Sequence, residues 1–167
     1  MADARRELAE MYDTHAPRIF RYIYHRLGNR VVAEDLTSEV FVRFLRARVA
    51  PDNLAAFLFR MAHNLIVDYL RGQRATQLLD ETLIAEQSDP ANLAEEEMRR
   101  ARLRRALARL TAEQQQVIVL KFLEGFSNEE IARVLDKSVG AIKLLQHRGL
   151  ATLRDLFSGE GDNVSRF

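Results

Sequence analysis

Cysteine and tryptophan are absent from this 167-residue sequence, proline occurs three times and glycine seven. Without cysteine neither a disulfide framework nor a thiolate metal site can form, which sets aside the small secreted scaffolds and fits a reducing cytoplasm. The scarcity of proline and glycine denies a strand-rich chain its turns and leaves helices. Met1 to Glu10 is charged throughout with no apolar core, and no run of about 18 apolar residues occurs anywhere, so neither a leader nor a membrane span is expected. What is present is 47% hydrophobic residues with few aromatics, enough for cores expected to be aliphatic.

The formal net charge of +1 conceals opposite blocks. Residues 1–74 carry 12 Arg/Lys against 9 Asp/Glu, residues 75–98 none against 7, residues 99–157 12 against 6, and residues 158–167 1 against 2. Two basic bodies therefore flank an acidic connector.

Helical spacing of apolar residues runs from about 4 to 27, with Gly28-Asn29 as a stop and Pro17 as a candidate bend. A second stripe, 31–48, carries Leu36, Val40, Phe41, Phe44 and Leu45, and a third, 54–74, carries Phe57, Leu58, Met61, Leu65, Val67 and Leu70. Three helices with short connections predict an N-terminal bundle over 1–74. Residues 75–98 read as an acidic flexible linker around Ser88-Asp89-Pro90, with helicity resuming near 93. Thr111 with Gln114 forms a capping box, opening a helix with Val117, Ile118, Leu120 and Phe122 on its apolar side and ending at Gly125. Ser127 with Glu130 repeats the device for a short helix. After the break at Asp136-Lys137, Ser138 caps a long helix over 139–157, with Ile142, Leu145, Gly149, Leu153 and Leu156 facing inward. Short helix, tight turn and long helix predict a helix-turn-helix domain over 99–157, followed by a polar tail. The fold class is all-α.

In a helix-turn-helix the second helix enters the DNA major groove. Here it would present Ser138, Gly140, Lys143, Leu144, Gln146, His147 and Arg148. Lys143 and Arg148 suit phosphate or guanine, Gln146 suits adenine, and His147 can donate to either kind of acceptor. The competing reading is a solvated basic face, which the capped short helix, the turn and the positive balance of this half weigh against.

The run Leu123-Glu124-Gly125-Phe126-Ser127-Asn128-Glu129-Glu130-Ile131-Ala132, followed by Ser138-Val139-Gly140-Ala141-Ile142-Lys143, resembles the C-terminal domain of bacterial RNA polymerase sigma factors. The segment Ala33-Glu34-Asp35-Leu36-Thr37-Ser38-Glu39-Val40-Phe41 resembles the core-binding helix of that family, and the stretch from Phe57 to Arg71 its −10-recognition helix. The lack of an intermediate domain places the resemblance with the extracytoplasmic-function (ECF) group. It implies a factor that binds polymerase core, recognises promoters and opens DNA. Asp35, Leu36, Glu39, Val40, Phe41 and Phe44 would dock on a coiled coil of the largest-but-one core subunit. Arg60, His63, Asn64, Asp68, Arg71 and Arg74 would meet the opened −10 strand, and the second helix of the helix-turn-helix would meet the −35 duplex. The loop before the −10 helix would hold an extruded base, and the acidic linker would thread the polymerase cleft. An anti-sigma factor is a further partner the resemblance admits.

Asp35 and Glu39, four residues apart, share a helix face beside Leu36, Val40 and Phe44, an acidic rim around apolar anchors; a solvated face is the commoner meaning of such a pattern, and a divalent-metal site is disfavoured by the lack of nearby ligands. Cations with Phe57, Phe59 and Tyr69 make a combination suited to single-stranded DNA, with bundle core as the competing reading for Phe57 and Tyr69. The sequence departs from the family at Leu144 and Leu145, where a small polar residue and an arginine are usual, and at the missing Trp that often starts the −10 helix. No catalytic or metal-binding constellation is found: His15, His25, His63 and His147 are scattered and no glycine-rich phosphate loop is present, so neither an enzyme nor a cofactor is expected. The alternative is a stand-alone helix-turn-helix regulator with an N-terminal sensing or dimerising domain.

Overall fold

A computed structural model describes residues 1–77 and 94–162, all of whose regular structure is helical. The chain divides into two compact units. The acidic stretch read as a linker lies largely outside the described residues.

The N-terminal unit is built from α1 (Ala2–Leu27), α2 (Arg30–Ala47) and α3 (Leu54–Gln77). Helix α1 runs through Pro17 without interruption. It ends where Gly28 turns left-handed at φ 68° and donates its N–H to the Tyr24 carbonyl at 2.8 Å. Asn29 starts the next helix at once, its Oδ1 accepting from the Val32 N–H at 3.1 Å. Asn53 does the same for α3, accepting from Ala56 at 3.0 Å. Between these helices lie Ile19, Tyr22 and Ile23 from α1, Ala33, Val40 and Phe41 from α2, and Leu58, Phe59, Ala62, Leu65 and Ile66 from α3, all buried. Thr37, the polar residue in this core, donates its hydroxyl to the Ala33 carbonyl at 2.6 Å. The core is mainly aliphatic with Phe, as expected, and adds a buried tyrosine. Tyr22 and Phe59 are fully buried with ring centroids 5.3 Å apart, and the Arg18 guanidinium lies 5.4 Å from the Phe59 ring. Leu45, expected on the apolar stripe, is exposed.

The C-terminal unit contains α4 (Glu95–Ala108), α5 (Ala112–Ile118) continuing into a π-helical turn (Val119–Leu123), α6 (Asn128–Leu135) and α7 (Val139–Asp162). Glu95, Glu96 and Glu97 form the first turn of α4, close to where helicity was expected to resume, and their charge favours the helix N-terminus. Likewise α7 continues past Phe157 into the segment read as tail. Thr111 and Gln114 form the expected reciprocal box, and so do Ser127 and Glu130, at 3.1 and 3.0 Å. The helix expected to run unbroken to Gly125 instead widens at Val119–Leu123, with the Glu124 N–H reaching the Val119 carbonyl. The extra residue in that turn keeps Val119 and Leu120 buried and swings Phe122 and Leu123 outward, 55% and 44% exposed. Phe122 is therefore not on the apolar side. Gly149 packs α7 on α5: a Cβ there would stand 3.0 Å from Ile118 Cγ1. Asp136, left-handed at φ 55°, makes the turn into α7, and the neighbouring Lys137 Nζ donates to Glu113 Oε1 at 2.7 Å.

Candidate nucleic-acid interface and docking face

Helix α7 sorts its residues by face. Ile142 and Gly149 are buried and Leu145, Leu153 and Leu156 partly so, whereas Gly140, Lys143, Leu144, His147 and Arg148 are exposed. Those five recur at intervals of three and four and form one stripe. Ser138 is spent as the cap, its Oγ accepting from the Ala141 N–H at 3.1 Å. Gln146 departs from expectation. Its Nε2 donates to Asn128 Oδ1 at 2.6 Å, so the amide expected to read adenine instead ties the start of α6 to α7. Asn128 is a partner of Gln146 that reading the sequence missed. No local pattern betrays a pair 18 residues apart.

On α3 the exposed stripe is Arg60, Asn64, Asp68, Arg71 and Arg74, while His63 is only partly exposed, on its flank. The aromatics expected to stack on bases are drawn inward. Phe59 is core, Phe57 sits partly buried with its ring 6.0 Å from that of Phe44, and the half-buried Tyr69 accepts a hydrogen bond at its hydroxyl from Gln73 Nε2 at 3.0 Å. Near the C-terminal end of this stripe, burial pushes the Arg26 guanidinium below its usual range; the Tyr22 hydroxyl opposes that shift and the Arg74 charge adds to it.

On α2, Asp35 is exposed and Leu36 and Phe44 partly so. Glu39 is half-exposed and accepts from Arg43 Nε at 2.6 Å. Val40 and Phe41 are buried and hold the bundle together, so they do not form part of a surface; a stripe read from periodicity could not tell inner from outer apolar positions. Between α1 and α2 lies a feature the sequence did not disclose, a groove of about 320 Å³. Tyr12, Ala16, Pro17 and Phe20 give it an apolar wall, and Asp13, Glu34, Thr37 and Ser38 give it a polar, acidic rim. Pro17 has no N–H to give the Asp13 carbonyl, the one local sign in the sequence of an acceptor left over on this wall. Among the described residues no group of three or more His, Asp or Glu is placed to hold a metal ion, and no helix is long and apolar enough to cross a membrane.

Comparison with known proteins gives these faces a context. Residues 11–76 match the family described as Sigma-70 region 2, and residues 100–153 match Sigma-70, region 4. The chain is 37% identical over 157 residues to the ECF RNA polymerase sigma factor BldN of Streptomyces coelicolor, spanning 87% of this chain but only 58% of that relative's length. It is 32% identical over 153 residues to the ECF RNA polymerase sigma factor SigL of Mycobacterium tuberculosis, covering 86% of this chain and 85% of the other. Among solved structures, the sigma factor RpoE in complex with the anti-sigma factor NepR, from Bartonella quintana, matches with a TM-score of 0.73 at 22% identity over 95% of this chain and 98% of that one, a likeness of fold.

Proposed function

The chain belongs to the ECF RNA polymerase sigma factors, and from that premise we propose that it binds polymerase core in the cytoplasm, directs it to promoters and assists DNA opening, without catalysis of its own. The observation that carries this reading is the pairing, on one chain, of an acid-rimmed apolar groove on the N-terminal bundle with a cationic stripe on the second helix of a helix-turn-helix. Asp35, Leu36 and Glu39, and separately the acid-rimmed groove, suit a basic, amphipathic helix of the core enzyme, the coiled coil of its largest-but-one subunit. Lys143, His147 and Arg148 suit the closed −35 duplex. Arg60, Asn64, Arg71 and Arg74 suit the −10 strand once it has parted, with Asn64 able to bond a base edge and the arginines able to meet phosphates. An anti-sigma factor is a further proposed partner, by analogy with the complex of RpoE and NepR.

Replacing Asp35 and Glu39 together by Ala tests the docking clause. Exposed helical pairs such as Glu39–Arg43 are worth about 0.5 kcal/mol or less, so circular dichroism should be unchanged. Capture of polymerase core should fall markedly. Undiminished capture would remove this face from the docking assignment. A stand-alone regulator would instead bind palindromic duplex tightly without core, the outcome that would return the alternative reading to favour.

A further inference from the structure

Leu144 lies on the exposed stripe of α7 with 47% of its surface open, flanked by Lys143 and His147. The fold does not require it there. Ile142 and Gly149 already fill the buried face, with Leu145 partly turned in. One turn earlier stands Gly140, where even a Cβ would meet nothing within 4 Å. The isobutyl group therefore has no side chain in front of it, toward the N-terminal end of the helix that approaches the groove floor.

We infer that Leu144 selects a thymine in the duplex read by α7, packing on the C5-methyl group. This rests on the proposed function and adds a base identity to it. Thymine is the one base whose major-groove edge offers a methyl group. Guanine, adenine and cytosine present acceptors or amino donors, which a leucine pressed against them would strip of water without replacing the lost hydrogen bonds. The same side chain thus attracts thymine and penalises the other three bases. The neighbouring amide that could have supplied a polar alternative is committed to Asn128. Lys143 and Arg148 remain for phosphate or guanine, so the stripe reads with mixed chemistry.

Reconstituted holoenzyme, the full chain with polymerase core, is used to select bound duplexes from a random library. In the enriched upstream element each thymine is then replaced singly by deoxyuridine, which deletes only the methyl group. At one position affinity should fall roughly threefold to fivefold, the worth of one buried methyl. Leu144→Ala, at an exposed helical position, should abolish that sensitivity while preserving the preference at other positions, and Leu144→Met should keep part of it. Enrichment of a defined element with no methyl-sensitive thymine, or a sensitivity undiminished in Leu144→Ala, overturns the inference and leaves the sigma-factor reading intact. Failure to enrich any element overturns both.

Discussion

The N-terminal unit builds three helices of 26, 18 and 24 residues, whereas the C-terminal unit must form α5 and α6 from 7 and 8 residues each before its single long helix. An isolated helix of seven or eight residues is well below the length that holds itself together in water. Both short helices accordingly begin at reciprocal capping boxes, Thr111 with Gln114 and Ser127 with Glu130, while Asn29 and Asn53 cap from one side only. The first unit buries the large rings of Tyr22 and Phe59 fully, whereas the second buries a mainly aliphatic set that includes Leu107, Leu120, Ile131 and Ile142 and adds reciprocal caps at its short helices and close approach at Gly149. Long helices can be held by the stripe they bury; short ones have to be started correctly.

The largest test of that contrast is Phe59→Ala. Emptying a site flanked by Tyr22 and Arg18 should cost about 3–5 kcal/mol, read as a lowered midpoint in urea. A cost under about 1 kcal/mol would mean that the aromatic pair does not hold the N-terminal core. Next, α7 and α3, the two helices proposed to face DNA, should fail in different ways. Lys143→Ala or Arg148→Ala should weaken closed-complex binding by about 1–3 kcal/mol where the lost contact reaches a base. Asn64→Ala should spare closed binding and reduce strand opening, followed by permanganate reactivity of unpaired thymines. Equal losses in both assays for either variant would erase the division of labour. Ser127→Ala should cost about 1–2 kcal/mol and loosen α6, detected by faster amide exchange at Glu130 and Ile131, whereas Asn29→Ala should cost nearer 0.5–1 kcal/mol because α2 is held by packing. Comparable costs would show that caps matter alike in both units.

The smallest effect concerns pH. Burial, then the Arg18 charge, lowers the pKa of His15 below the ordinary 6.5. The unfolded chain therefore binds the proton more tightly than the fold, so stability declines as pH falls through 6.5 toward the folded value. His15→Gln should flatten that slope in the N-terminal unit, as measured by urea midpoints across the range. An unchanged slope would exclude His15 as its source.

Much of this architecture was legible in the sequence because its signals are local. Thr111, Ser127, Ser138 and Gly28 each act on backbone groups within four residues, and the expected helix boundaries lay within a few residues of those found. The misses involve partners distant along the chain. Which flank of the α2 stripe is buried depends on α1 and α3, so Val40 and Phe41, expected both on the apolar stripe and among the docking residues, are found buried in the bundle. Phe59 was read as a stacking platform because its own helix could not reveal Tyr22 opposite. The apolar run from Val117 to Leu123 has no period to betray the π turn. The groove is formed by two helices and by neither alone.

The bond between Gln146 and Asn128 has a consequence for how such a chain can change. It acts as a set-screw on the angle between the two helices of the reading head. On the proposed reading, giving up one potential base contact fixes the aim of the others in advance, so that Lys143 and Leu144 would meet the groove without a further loss of orientational freedom on binding. Substitutions at Asn128, a residue on the helix that does not enter the groove, could then retune which sequence is read by turning α7 a few degrees while leaving every side chain on its exposed stripe the same.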